Sequence, residues 1–269
     1  MLMIGKSFVD ILTGINFIIC GLEHTGTTVL SDVFRQQADC DAGFEVGVLL
    51  ADSPAAFLKL KPYSDNIFNG WKIQRQDLID CCNSTHYSEF YDRLYSSSQL
   101  FAAPPAIRFD KTPRYITRLE QIQQKFASVP TLCTIKDPRS IAWSDFRRTK
   151  LPTDQIDSWY SDWAPQKIRY MRSASAGYRF AQKSHSALVL RLEDICLFTY
   201  ESISRAHDFV GLPFTCRSLY FPNTRTPHTL GNSINSAPVL SHLRDLPKRI
   251  ARRVLNDFSE FDFWFYSKF

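Results

Sequence analysis

The stretch that most limits what this chain can fold into is FIICGLEHTGTTVL, residues 17 to 30. A short apolar run stops at Gly21. A polar turn bounded by Gly21 and Gly26 follows, and Val29, Leu30, Val33 and Phe34 then recur at helical spacing. Strand, glycine-bounded turn and helix in that order build a phosphate-binding loop. The turn aims several backbone N–H groups at one point, and the helix N-terminus adds partial positive charge. Gly21 and Gly26 supply the backbone freedom and close approach the turn needs, and Thr25, Thr27 and Thr28 are candidate hydroxyl donors. A loop for a nucleoside triphosphate would carry lysine where this chain has Thr27. The loop therefore reads as a phosphate cradle of another kind.

Three apolar runs, Ile15–Cys20, Thr131–Ile135 and Ala187–Leu192, are short, rich in branched residues and each followed by a polar turn and a helical pattern. After the second, DPRSIAWSDFRR can begin a helix with Pro138 in its first turn. After the third, a helix ends near Gly211, with Pro213 blocking continuation. Strands alternating with helices predict one α/β domain over residues 1–269, a doubly wound parallel sheet flanked by helices and similar to P-loop nucleotide-binding folds. Two less regular, aromatic-rich segments, 40–108 and 151–182, are expected to be helical insertions covering the cleft on the acceptor side. Residues 216–269 read as a turn-rich loop, a helix and an aromatic tail.

The bulk numbers exclude several classes. Thirty-two basic against 27 acidic residues leave a net charge of +5, too small an excess to point to nucleic acid but compatible with a cleft for a small anion. The first twenty residues are interrupted by Lys6, Asp10 and Asn16, so no membrane span is expected. The seven cysteines show no metal-ligand spacing and read as reduced thiols, which predicts a cytoplasmic protein without a metal site.

Four stretches resemble the sulfotransferases that use 3′-phosphoadenylyl sulfate (PAPS). GLEHTGTT is similar to their 5′-phosphosulfate loop, in which a lysine or arginine precedes Ser-Gly-Thr-Thr; this chain has His24 at the cation position. IKDPRSIAWS resembles their 3′-phosphate element, with Lys136 in place of arginine and Ser144 eight residues on. Lysine keeps the charge but gives up bidentate geometry, and Arg139 is a candidate to share the task. FDKTPRYI resembles the element that sets a lysine, here Lys111, near the sulfuryl group. LRLEDICLFTYESISRAHDFVGLPF resembles a late segment that is mostly scaffold, where Glu193 and Asp194 are expected to cap or pair.

The resemblance implies transfer of a sulfuryl group from PAPS to an acceptor hydroxyl, on a small molecule or a carbohydrate, without a metal. It assigns Thr25, Gly26, Thr27 and Thr28 to the 5′-phosphosulfate, and Lys136 and Ser144 to the 3′-phosphate. His24 and Lys111 fall beside the bridging oxygen. Arg225 would close over the 3′-phosphate from the late loop. The expected base is Glu45, with Asp110 and His86 as other candidates. The basic run Lys248, Arg249, Arg252 and Arg253 reads as a solvated helix face or a hold for an acidic acceptor. Two other readings stay open: a small-molecule kinase, and a protein of the same fold that binds the nucleotide without transfer. Acceptor identity and oligomeric state are not readable from these residues.

Overall fold

The computed structural model describes residues 14–126, 129–222, 224 and 233–261. Strands β1 (Phe17–Gly21), β2 (Cys40–Asp41), β3 (Ile107–Lys111), β4 (Thr131–Ile135) and β5 (Ala187–Arg191) form one sheet in the order β2-β3-β1-β4-β5. Every pairing is parallel. The chain leaves β1 towards one edge and later crosses to β4 on the other side. The strand order therefore reverses beside β1, which is where doubly wound sheets open a crevice at their carboxyl ends.

Helix α1 (Thr27–Arg35) follows β1. Between β2 and β3 lie α2 (Tyr63–Trp71), α3 (Arg75–Cys82) and α4 (Tyr87–Ser97). A 3-10 turn, Pro113–Arg118, and α5 (Leu119–Lys125) connect β3 to β4. After β4 come α6 (Pro138–Thr149) and α7 (Ile156–Lys183); after β5 come α8 (Leu192–Leu197), α9 (Thr199–Phe209), α10 (Ala237–Asp245) and α11 (Lys248–Asp257). The 40–108 segment thus builds α2 to α4, and 151–182 becomes most of the single helix α7.

Alternation along β1 divides the core. Phe17 and Ile19 join Leu30, Val33 and Phe34 of α1 and Ile203 of α9, whereas Ile18 and Cys20 join Tyr91, Tyr115 and Tyr178 on the opposite face. Both faces of the sheet are covered, which is why its central strands read as unbroken apolar runs. Cys20 and Cys133 face each other with sulfurs 3.5 Å apart, and none of the seven cysteines is in a disulfide. Among the described residues no helix is long and apolar enough to cross a membrane.

Close packing of α7 rests on Gly177. A β-carbon there would lie 1.8 Å from the backbone oxygen of Ile116, an atom of the 3-10 turn that cannot swing aside. Gly177→Ala should therefore cost about 2–3 kcal/mol, in the overpacking range. Chemical denaturation followed by circular dichroism reads this as a lowered midpoint with the slope unchanged.

Candidate active site

Parallel pairing runs from Ile18 opposite Thr131 to Gly21 opposite Thr134, so β1 and β4 end side by side. The loop before α1 and the turn before α6 leave the sheet as neighbours. One side chain pins both. The Tyr178 hydroxyl donates to the Thr134 carbonyl at 2.7 Å and accepts from the Leu22 N–H at 2.9 Å. The motif glycines are required here: at Gly21 (φ +151°) a β-carbon would lie 2.4 Å from the Thr134 carbonyl oxygen. At Gly26 (φ +102°), which caps α1, it would lie 2.6 Å from Leu192 Cδ1.

The expected phosphate residues are brought together, with one correction. His24, Gly26, Thr27, Thr28, Lys136 and Ser144 line a single cavity of about 540 Å³. Thr25 does not. It is fully buried, its hydroxyl donating to the Leu22 carbonyl at 2.5 Å and lying 2.7 Å from Thr134 Oγ1. Its own N–H also turns inward to Leu22. Thr25 ties the loop to β4 and has no group left for a ligand. Arg139 is likewise committed elsewhere, folded back on Asp137 with contacts of 2.6 to 3.2 Å. In its place Arg147, Arg148 and Arg244 add positive charge to the cavity wall. Arg225 lies outside the described residues.

Lys136 is 3% exposed. Burial pulls its ammonium down to about 8, against the partial support of the Glu193 and Asp145 carboxylates. Glu193 also accepts the Asp137 N–H at 2.9 Å, joining the start of α8 to the turn after β4; this is the structural role expected of it.

His24 has φ +67°, and its Nδ1 lies 2.5 Å from Asp145 Oδ1. The other Asp145 oxygen accepts from Trp163 Nε1 at 2.9 Å and meets Lys167 Nζ at 3.0 Å. Burial alone would push the Asp145 carboxyl up. The His24 hydrogen bond, the Lys167 charge and the Trp163 N–H outweigh it and hold the group at about 2. Sequence reading missed Asp145 and Lys167 because their partners lie on other elements, and a single residue's spacing carries no trace of them.

A second cavity, of about 610 Å³, shares Thr28 with the first and is lined also by Phe44, Asn66, Asn69 and Lys111. Lys111, 6% exposed, pairs with Glu45 at 2.8 Å and lies over the Phe44 ring, with Nζ 5.2 Å from its centroid. Glu45 is half-buried against this lysine, and the neighbouring Phe44 is exposed. Asp110 holds that segment in place. It is fully buried and accepts from Tyr91 and Tyr115 at 2.6 Å and from Thr112 at 2.8 Å. The backbone N–H of Val46 also bonds to it. Burial pushes its carboxyl above the usual range, against those bonds. Every lone pair it can offer is used, so Asp110 is scaffold and not a base.

The remaining candidates stand apart. His86 is exposed at the start of α4 and lines neither cavity. Arg249 and Arg253 on α11 pair with Asp157 on α7, away from both cavities. They match the solvated-face reading of the basic run.

With this geometry established, comparison with solved structures gives the fold its place. The sulfotransferase domain of the Synechococcus PCC 7002 olefin synthase superposes with a TM-score of 0.59 at 13% identity, covering 90% of this chain and 93% of that one. The sulfotransferase domain of the curacin biosynthetic pathway gives 0.57 at 15% identity, over 90% and 96%. A sulfotransferase from Alicyclobacillus acidocaldarius gives 0.51 at 13% identity, over 92% and 94%. The chain therefore has the sulfotransferase fold. No protein-family model matches the sequence, and no curated protein does.

A buried lysine with its ammonium at about 8 would set a pH limit on the binding of any anion that draws on its charge. Binding of a phosphate ligand draws on the protonated form, so affinity holds below pH 8. Above it, affinity falls by up to about tenfold per pH unit as the free protein loses that proton. Calorimetric titration of adenosine 3′,5′-bisphosphate between pH 7 and 9.5 should show that limb, and Lys136→Met should abolish it.

Proposed function

We propose that the protein transfers a sulfuryl group from PAPS to a hydroxyl of a small-molecule or carbohydrate acceptor. The observation that carries this reading is the single cavity into which Thr27, Thr28, Lys136 and Ser144 converge from the turns after β1 and β4. Its volume, about 540 Å³, lies in the range of nucleotide-sized sites. The cavity fits a doubly phosphorylated nucleoside. Lys136 and Ser144 would hold the 3′-phosphate, with Arg147, Arg148 and Arg244 adding charge. Thr27, Thr28 and the open N–H groups of the first turn of α1 would hold the 5′ end. The likeness in fold to sulfotransferase domains supports the same assignment. Lysine is absent from position 27, where a kinase loop would place it.

Transfer needs an acceptor oxygen and a leaving phosphate oxygen in line across the sulfur, with charge growing on the leaving side. Thr28 lines both cavities, so a donor in one and an acceptor in the other would meet beside it. His24 would lie beside the leaving oxygen, and Lys111 would offset charge from the acceptor side. Glu45 would take the hydroxyl proton as the oxygen attacks. The bond from sulfur to the bridging oxygen breaks with its electron pair left on the phosphate. The amide groups of Asn66 and Asn69 and the exposed Phe44 ring suit a hydroxyl-rich acceptor such as a sugar.

Thermal denaturation tests the donor. Adenosine 3′,5′-bisphosphate without magnesium should raise the melting temperature, whereas stabilisation by magnesium-ATP alone would favour a kinase. Glu45→Gln tests the base: kcat for sulfuryl transfer should fall by about 10²–10⁴ with bisphosphate affinity unchanged. Full turnover in that variant would remove the assignment.

A further inference from the structure

Where the resembled loop carries lysine or arginine, this chain carries His24, whose ring has two chemically different nitrogens. Which one a ligand meets is decided by what holds the other. Nδ1 lies 2.5 Å from Asp145 Oδ1. The Asp145 carboxyl is held at about 2, so near neutral pH it is an acceptor only, and the proton in that contact belongs to Nδ1. Asp145 is itself immobilised. Its side chain is 11% exposed, Lys167 Nζ is 3.0 Å from Oδ2, and Trp163 Nε1 donates to the same oxygen at 2.9 Å. Lys167 is nearly fully buried, so this carboxylate is also its counter-charge. Among the described residues Nε2 has no hydrogen-bond partner, while His24 lines the same cavity as Thr27, Thr28 and Lys136. The anchoring residues come from helices α6 and α7, outside the loop they serve.

We propose that Asp145, clamped by Lys167 and Trp163, is a positioning residue that fixes the His24 ring so that Nε2 meets the 5′-phosphate end of the bound donor. This rests on the donor reading given above. With Nε2 also protonated, a ring oriented in this way donates its Nε2–H to the departing oxygen, and Asp145 balances the charge of the imidazolium. A freely rotating histidine would spread that contact over several orientations. Lysine needs no such clamp, because its charge has no preferred face. The two features belong together: a histidine at this position and a buried carboxylate one residue after Ser144.

The test uses the full chain with His24→Ala, Asp145→Asn and the double variant. In the wild type with bisphosphate bound, ¹⁵N spectra of His24 should report protons on both Nδ1 and Nε2, and Asp145→Asn should replace that state with a mixture of neutral tautomers. Affinity for adenosine 3′,5′-bisphosphate should drop about tenfold in Asp145→Asn, the scale of one hydrogen bond to a charged group. It should drop no further than His24→Ala alone in the double variant. A wild-type ring protonated on Nε2 with Nδ1 bare overturns the proposal. So does an Asp145→Asn penalty that persists in full in the His24→Ala background, since that would be a purely structural loss. If Asp145→Asn fails to fold because Lys167 is left unpaired, Asp145→Asn with Lys167→Gln removes both charges and reads the same outcomes. A wild-type chain that does not bind the bisphosphate at all overturns the donor reading and this proposal with it. That result differs from failure of Asp145 alone, in which the bisphosphate binds and the variants are indifferent.

Discussion

The pairing of β1 with β4 is the constraint on which the candidate site depends. The candidate phosphate-binding residues sit on two short elements more than a hundred residues apart in sequence, and only the parallel register of these strands makes them neighbours. Register alone would leave the two exits free to splay. Tyr178 prevents that by bonding both strand ends with one hydroxyl, and Thr25 repeats the tie from inside the loop. These groups are fully buried, so breaking either tie would leave a polar atom without water to replace its partner. Long helix α7 is thus part of the site although Tyr178 never reaches the cavity.

Charge is distributed unequally around the loop. His24, Lys136, Arg147 and Arg148 line the first cavity, with Arg244 paired to its own neighbour Asp245, while the carboxylates near it, Asp137, Asp145 and Glu193, are each engaged by a named partner. The resulting field favours an anion with several charges. On the other side of Thr28 the balance is closer to neutral, because Lys111 already has Glu45. Under the proposed function a polyanion would lie on one side and a hydroxyl compound on the other, the division that group transfer between unlike partners requires.

Much of this could be read from the chain beforehand, and the failures have physical reasons. Strands β1, β4 and β5 announced themselves because both faces are covered and most positions are apolar; β1 is shifted, from Ile15–Cys20 to Phe17–Gly21. Strand β3, Ile107–Lys111, hid its nature because three of its five residues are charged and are satisfied only by tertiary partners. β2 has two residues, too few to show any period. Within the loop, the sequence named three threonines but not which one turns inward; that depended on Thr134 across the sheet. That Lys136 and Ser144 line one cavity was legible from the resemblance, which sets them eight residues apart across the strand end and the start of α6. Asp145 was not, since its meaning lies in His24 and Lys167, 121 residues before it and 22 after it in the numbering.

The end of β3 places two opposite charges on consecutive residues facing opposite ways. Asp110 enters a cage of tyrosine hydroxyls on one face, and Lys111 meets Glu45 on the other. Sliding this strand by one position would thrust an ammonium among phenols and a carboxylate against another carboxylate, besides reversing every side chain. The edge of the sheet therefore proofreads its own alignment electrostatically, and a misaligned chain would be penalised before any ligand arrived.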